Sequence, residues 1–229
     1  MKKSLLFLAP MMFAANCMAA GSGGDTVKLP EPDKTVSMTL FDALQNRHSV
    51  REFSDKDIDK ATLSSLLWAA TGVNRPDGRM TAPTAVNAQD ISVYVATKDG
   101  VSLYMPKENS LKLITKKDIR ADLAGRQKIV ANAPVFLLIV SDTGKFRWTD
   151  GTEKTFAAMD ASYVSQNIDL AAVALGLATV PRYMMERETV SKALNLGEKQ
   201  LLMLNHPIGY PVQNTGKEDK NATKTEKGK

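Results

Sequence analysis

The sequence predicts an α+β domain in which helices pack against a central β-sheet. Residues 91–95 and 101–105 alternate apolar and polar side chains around a tight turn, which is typical of a β-hairpin. Residues 135–140 are all apolar, which indicates a central strand covered on both faces. Residues 156–175 form a long alanine-rich helical pattern that ends at Gly176. Strands and helices are mixed without a long sequence repeat, which argues against a solenoid.

Capping residues and apolar spacing predict the remaining elements. Thr39 and Asp42 predict a short capped helix that ends near Asn46. Asp59 begins a second helix, whose apolar side chains recur at helical spacing until Gly72. The same patterns predict helices at 117–131 and 186–194 and strands at 178–180 and 200–208.

Composition and charge indicate one soluble globular domain. The chain has 229 residues and 43% hydrophobic content, which excludes a disordered chain, a collagen and a multi-span membrane protein. The net charge of +5 comes mostly from Lys2 and Lys3 and from the lysines after residue 212. Nucleic-acid binding requires a basic face on the domain itself, so we expect no nucleic-acid partner. The folded domain is expected to span residues 37–212.

The first twenty residues have the order of a secretory signal peptide. Lys2 and Lys3 precede an apolar stretch at 5–15, and small residues follow at 19–21. The apolar stretch is shorter than the roughly 20 residues that span a bilayer. We therefore expect residues 1–20 to be removed and the protein to be exported, as a periplasmic or secreted protein. Cys17, the one cysteine, is either lost with the peptide or is the lipid-modified first residue of a lipoprotein.

Two further segments have the composition of flexible chain. Residues 21–36 contain Gly, Ser and Pro and are predicted to be a linker. Residues 213–229 are rich in lysine and lack apolar periodicity, which predicts a disordered tail.

Several reaction classes are disfavoured by missing residues. The chain has two histidines and one cysteine, so we expect no metal site. It lacks both the G-x-S-x-G pattern of a hydrolase nucleophile and the GKS or GKT pattern of a phosphate-binding loop.

An arginine segment at 47–53 is the first candidate binding element. Arg47, Ser49 and Arg51 alternate in an extended stretch, so their side chains project to one side. Two guanidinium groups and a hydroxyl can bind a phosphate or a planar heterocycle edge. The alternative is a solvated arginine pair that forms salt bridges with Glu52 or Asp55.

An amide loop at 83–89 is the second candidate binding element. It begins at Pro83, precedes a strand, and carries the hydroxyl of Thr84 and the amides of Asn87 and Gln89. Hydroxyl and amide groups can read the edge of a heterocycle. The alternative is an ordinary polar surface loop.

Together, these segments resemble the FMN-dependent nitroreductase family. Its pattern has R-R-S-x-R-x-F, here residues 47–53 with His48 in place of the second Arg, followed by P-S-x-x-N-x-Q, here residues 83–89 with Thr84 in place of Ser. The resemblance extends over residues 38–212. It implies a three-layer α+β fold with a central mixed or antiparallel sheet flanked by helices. It also implies a homodimer with FMN in each of two clefts between the subunits.

The resemblance also implies roles for residues. Arg47, His48, Ser49 and Arg51 are expected to surround the phosphate and the pyrimidine edge of the flavin. Backbone at Gly176 and Leu177 is expected near the ring, and Arg182 replaces a third phosphate contact for which the C-terminal tail offers only Lys217. The amide loop is expected to contact the ring and ribityl chain through five residues: Pro83, Thr84, Ala85, Asn87 and Gln89. The flavin carries the hydride, so no catalytic protein residue is expected.

The function implied is an exported FMN oxidoreductase. Its substrates would be small nitroaromatic, quinone or enone-like acceptors, and NAD(P)H is a candidate electron donor. Because NADH and NADPH are cytoplasmic, the donor outside is either a membrane quinol or another flavoprotein, or the protein acts as a dehydrogenase on an exported substrate. A flavin-binding protein without turnover is the alternative from a different class. The long alanine-rich helix carries small residues on several faces and is expected to take part in the homodimer interface.

Overall fold

A computed structural model of the protein describes residues 25–148 and 150–212. The signal peptide expected at 1–20, Cys17 within it, and the tail expected at 213–229 lie outside the described residues. Among the described residues, none of the helices has both the length and the apolar character needed to cross a membrane.

The described residues form a seven-stranded antiparallel sheet and five α-helices. The strands are β1 (Thr26–Lys28), β2 (Ile91–Thr97), β3 (Gly100–Met105), β4 (Ser110–Thr115), β5 (Val135–Asp142), β6 (Ala178–Thr179) and β7 (Gln200–Gly209). The helices are α1 (Leu40–Asn46), α2 (Lys60–Thr71), α3 (Arg120–Ala124), α4 (Glu153–Ala174) and α5 (Arg187–Leu194). The spatial strand order is β1-β4-β3-β2-β5-β7-β6. The predicted α+β class is confirmed.

Two apolar cores, one on each face of the sheet, give the three layers. Helices α2 and α4 pack on one face, where Leu66 and Ile168 meet Leu137 of β5. Helices α3 and α5 pack on the other face, where Leu123 meets Phe136. Strand β5 therefore contributes alternate residues to both cores, and the prediction of a strand covered on both sides is confirmed.

Capping residues in the sequence correctly predicted where several helices begin or end. The Thr39 side chain accepts a hydrogen bond from the backbone N–H of Asp42 and caps α1. The Asp59 carboxylate accepts bonds from two N–H groups of α2, and these hydrogen bonds lower the pKa of Asp59. Helix α4 begins three residues before the predicted 156 and ends beside Gly176, as the sequence indicated.

Three segments differ from the sequence-based expectation. The linker expected at 21–36 contains β1, which pairs with β4, and Leu29 is buried in the core. Strand β4 itself was not predicted. The helix expected at 117–131 is only the short α3 and a separate 3-10 turn at Lys128–Val130, because the chain turns at Gly125 with a φ of +55°. In each case the deciding contact is long-range pairing or backbone reversal, which local composition does not encode.

Arg182, expected as a phosphate contact, is instead a structural residue, and that expectation is wrong. Its guanidinium donates to the carbonyl oxygens of Leu123 and Ala124 and to the side-chain oxygens of Gln127 and Asn205, at 2.7–2.9 Å. Four of its five N–H donors are therefore engaged, and the residue is buried. Arg182 binds the C-terminal end of α3, whose carbonyl groups lack helical partners.

Gly100→Ala should lower the free energy of unfolding by about 3 kcal/mol or more, because a Cβ at this φ of +128° would lie 2.2 Å from the carbonyl oxygen of Thr115. Gly176→Ala is the matched control. Its φ is +68° but open space surrounds the new Cβ, so the loss should be about 1 kcal/mol. Urea denaturation followed by circular dichroism measures both values, and equal losses would contradict the expectation.

Arg182→Leu should lower the free energy of unfolding by about 3 kcal/mol, because several buried acceptors lose their donor. Arg126→Leu, at an exposed arginine just after α3, should change it by less than about 0.5 kcal/mol. Urea denaturation without added cofactor measures both. If Arg182→Leu kept full stability but lost affinity for a phosphate ligand, Arg182 would be a ligand contact after all.

Candidate functional site

The arginine segment (residues 47–53) runs extended from the end of α1 and is held at two points. The Val50 N–H donates to the carbonyl oxygen of Thr179 in β6 at 3.0 Å, and Phe53 pairs with Pro211. Phe53 is buried and Val50 is half-buried. Ser49 and Arg51 are exposed and Arg47 is half-buried, whereas Phe53, at the same alternate spacing, turns into the core.

Three polar side chains of this segment lack a partner among the described residues. Within residues 25–148 and 150–212, no hydrogen bond or ion pair is formed by the side chains of Arg47, Ser49 or Arg51. The alternative of salt bridges to Glu52 or Asp55 is therefore wrong for the described chain. His48 donates from Nδ1 to the carbonyl oxygen of Asn46 at 2.8 Å, which leaves its Nε2 free.

A cavity of about 310 Å³ lies beside the arginine segment. It is lined by Arg47 and His48 at one end and by Gly176, Leu177 and Thr179 after α4 at the other. The structure thus brings together four of the residues that the sequence analysis selected from two distant parts of the chain. Its size is at the lower end of the roughly 300–1,000 Å³ of ligand pockets.

The backbone at the end of α4 is less available than expected. Gly176 donates its N–H to the carbonyl oxygen of Val173, and Leu177 donates to that of Ala172. With Gly176 at a φ of +68°, these bonds form the Schellman motif that ends the helix. Neither N–H is therefore free to bind a ligand.

A buried polar network that the sequence did not reveal lies next to this cavity. Ser165 Oγ is 2.9 Å from His206 Nε2, and His206 Nδ1 is 3.4 Å from Asp169 Oδ1. Asp169 lines the cavity, whereas Ser165 does not. The order resembles a Ser–His–Asp triad, but the hydroxyl is buried within α4 and cannot meet a substrate. The residues come from α4 and β7, which are distant in the sequence, so no local motif predicts that they meet.

The amide loop (residues 83–89) lines a second, smaller cavity of about 180 Å³. Pro83, Thr84, Asn87 and Gln89 form one side, and two arginines, Arg75 and Arg79, form the other. This volume is below that of a typical ligand pocket, so the cavity can hold only part of a cofactor.

Hydrogen bonds within the amide loop divide its residues into two groups. Thr84 Oγ1 accepts from the N–H of Gln89, and the Gln89 amide donates to the carbonyl oxygen of Gly78. Gln89 therefore holds the loop rather than offering donors outward. The hydroxyl proton of Thr84 and the exposed amide nitrogen of Asn87 remain available to a ligand.

The loop is held in a strained backbone conformation. Val86, Asn87 and Gln89 have φ values of +48°, +54° and +49°, although none of them is glycine. A β-branched residue at such a φ is rare, and each strained residue costs about 1–3 kcal/mol. One anchor of the loop is the Ala85 N–H, which donates to Asp160 Oδ2 of α4 at 2.9 Å.

The two candidate elements lie at different positions along α4. The amide loop is anchored at Asp160, whereas the first cavity reaches Asp169, nine residues later and roughly 13 Å along the helix axis. No residue of the amide loop lines the first cavity. Within the described part of one chain, therefore, the two elements form separate half-sites, and Arg182 belongs to neither.

Comparisons with known proteins agree with this architecture. The sequence model of the nitroreductase family matches residues 44–210. A crystal structure of a protein from Ralstonia eutropha JMP134, described as a nitroreductase, superimposes with a TM-score of 0.77 and is 34% identical, covering 85% of this chain and 93% of that one.

Two curated relatives extend the comparison. A protein from Methanocaldococcus jannaschii that is named as a nitroreductase is 30% identical over 200 residues, which are 83% of this chain and all of that protein. A Bacillus subtilis protein named FMN reductase [NAD(P)H] is 26% identical over 155 residues, covering 62% of this chain and 53% of that protein. The fold, the matched span and these identities place the chain in the nitroreductase family, a family of oxidoreductases.

Proposed function

We propose that the protein is an FMN-dependent oxidoreductase that passes two electrons to small nitroaromatic, quinone or enone-like acceptors. The observation that carries this proposal is that, within the described residues, Arg47 lines a cavity and its side chain forms no hydrogen bond or ion pair, and that the exposed side chains of Ser49 and Arg51 in the same segment form none either. Arg47 is half-buried, and half-buried cationic side chains are normally paired. Unpaired guanidinium groups at a cavity edge fit an anionic ligand.

The donors present fit the chemical groups of FMN. The arginine segment supplies two guanidinium groups and a hydroxyl for the phosphate and the pyrimidine edge. The amide loop supplies the Thr84 hydroxyl and the Asn87 amide for the ring and ribityl chain. The B. subtilis relative is named for FMN and NAD(P)H, which supports the same cofactor and NAD(P)H as a donor. When bound, FMN supplies the two-electron redox chemistry.

A homodimer would join the half-sites that one chain keeps apart. Apolar side chains are exposed on two neighbouring helices: Leu40, Phe41 and Leu44 on α1, with Phe41 79% exposed, and Met159 and Tyr163 on α4. Exposed apolar side chains on two helices that pack against each other are typical of a protein interface. A two-fold axis through α4 would place the amide loop of one subunit opposite the arginine segment of its partner.

The cellular setting is part of the proposal. A cleaved signal peptide at 1–20, with or without lipid at Cys17, would place the enzyme outside the cytoplasm. A membrane quinol or another flavoprotein would then supply electrons where NAD(P)H is absent. The small-molecule acceptor enters over the exposed side of the cofactor, and the chain's polar groups serve to bind and orient it.

Anaerobic stopped-flow mixing tests the proposed activity. The purified mature protein should be yellow with one FMN per subunit, and NADH, NADPH or a reduced quinol should bleach the flavin band. Later mixing with a nitroaromatic or a quinone should restore it. If none of the donors reduced the bound flavin, the protein would be a flavin-binding protein without turnover. A colourless protein that takes up no FMN would overturn the proposal.

Arg51→Ala and Arg47→Ala should each weaken FMN binding by about 1.5–3 kcal/mol, the usual contribution of a hydrogen bond to a charged group. The dissociation constant would rise roughly 10- to 150-fold. Arg126→Ala, at an exposed arginine outside both cavities, is the matched control and should bind like the wild type. Flavin fluorescence titration measures all three, and equal affinities would mean that the arginine segment is ordinary charged surface.

Tyr163→Asp should shift the protein from dimer to monomer and reduce flavin content together, because burying an unpaired carboxylate at the interface is costly. Ile129→Asp, at a similarly exposed apolar residue on the 3-10 turn after α3, is the matched control. Light scattering with flavin absorbance measures both quantities over a range of protein concentrations. A stable monomer that kept its flavin would show that one chain builds the site.

A further inference from the structure

Two carboxyl groups are buried side by side beneath the amide loop. Asp90 ends the loop at the start of β2 and is 0% exposed, and Asp160 of α4 is 2% exposed. Asp90 Oδ2 accepts a hydrogen bond from Ser141 Oγ of β5, and Asp160 Oδ2 accepts one from the Ala85 N–H. The pair thus connects the loop to the central sheet and to the long helix.

Below about pH 6, the two carboxyl groups are expected to share one proton. Two adjacent buried carboxylates repel each other, so one of them is held in its neutral form. Asp90 Oδ1 is buried and lacks a hydrogen-bond partner of its own, which is accounted for if it carries the proton and donates it to Asp160. Burial and the neighbouring Asp160 raise the pKa of Asp90 to about 6.

The amide loop depends on this pair for an anchor. Three of its residues have a left-handed backbone, and the chain there would relax if its anchors were lost. Asp160 binds the Ala85 N–H directly, one residue before the strained stretch begins. The other end of the loop is held at Gln89, whose amide donates to the carbonyl oxygen of Gly78 and whose carbonyl oxygen accepts from Lys145 Nζ. The bond to Asp160 is therefore the anchor at the start of the loop.

We propose that Asp160 is a positioning residue that holds the amide loop in its ligand-binding conformation through Ala85, and that it does so only while Asp90 keeps the shared proton. The proposal rests on the proposed function, because the loop is taken as part of the FMN site. Loss of the proton leaves two buried negative charges, which drives the carboxyl groups apart and releases the loop.

Charged residues from α4, from β5 and from the turn after β5 lie around Asp90, and the proton that Asp90 shares with Asp160 is the charge expected to change with pH. Asp160 faces Asp90 from α4 and is the charged group that raises its pKa. Asp142 of β5 approaches through its backbone N–H, which donates to the Asp90 carbonyl oxygen. Lys145, after β5, donates from Nζ to the Gln89 carbonyl oxygen.

The direction of the pH effect follows from the raised pKa of Asp90. An unfolded Asp titrates near pH 4, whereas Asp90 in the folded protein titrates near pH 6. The folded state therefore holds a proton that the unfolded state loses between these values. The pair contributes fully to stability below pH 4, and its contribution is lost as the pH rises to 6 and above. Loop order and FMN affinity should decline above pH 6.

The test compares wild type with Asp90→Asn, whose side chain keeps a donor for Asp160 and an acceptor for Ser141 but cannot ionise. If only the protonated pair binds, the wild-type dissociation constant for FMN should rise about 25-fold between pH 5.5 and 7.5 relative to the variant. The FMN phosphate also titrates near pH 6, but it does so equally for both proteins. Asp99→Asn, at an exposed turn, is the control and should follow the wild type.

Hydrogen exchange of the Ala85 amide in the flavin-free protein provides a second readout. After correction for the intrinsic rate, its protection in wild type should fall above pH 6 and should remain constant in Asp90→Asn. Asp160→Ala should show low protection at every pH. If the wild-type protection does not change with pH, or if Asp90→Asn keeps the wild-type pH profile, the proposal is wrong. This measurement needs no flavin, so a protein that binds no FMN overturns the proposed function while exchange still decides the role of the pair.

Discussion

The close packing of helix α4 against the sheet and against α2 is the constraint on which both half-sites depend. Ala157, Ala161 and Ala172 are almost fully buried, and their small side chains allow the helix to lie near the sheet. A well-packed helix of 22 residues is a rigid element about 33 Å long. Asp160 and Asp169 are therefore held at fixed separation, one under the amide loop and the other at the cavity beside the arginine segment.

This packing allows the protein to bury polar groups that would otherwise be destabilising. Asp90 and Asp160 lie under the amide loop, and Asp169 and His206 lie beside the first cavity. Each buried carboxyl carries a desolvation cost that only hydrogen bonds or a neighbouring proton offset. Ser141 and the Ala85 N–H donate such bonds to Asp90 and Asp160, and His206 Nδ1 lies 3.4 Å from Asp169 Oδ1. Within the described residues, the buried groups around the two half-sites thus require hydrogen-bond partners, whereas the side chains of Arg47, Ser49 and Arg51 form none.

The arginines illustrate why residue type alone does not reveal a role. Arg51 is exposed and unpaired, whereas Arg182 is buried with four donors engaged. From the sequence alone, both could bind a phosphate. The difference arises because α3 ends beside the chain after β6, where its free carbonyl groups need a donor. This contact joins residues almost 60 positions apart in the sequence, and no local sequence pattern predicts it.

The sequence by itself determined the α+β class, the buried central strand and the capped starts of α1 and α2, and it selected the two polar segments proposed here to bind ligand. These follow from side-chain period, capping chemistry and turn residues, which act over a few neighbouring positions. Only the tertiary structure decided that β1 closes the sheet edge, that Gln89 and Arg182 support the fold, and that Asp90 and Asp160 share a buried site. Burial, charge coupling and hydrogen-bond satisfaction depend on groups brought together from distant parts of the chain, so they exist only once the chain has folded.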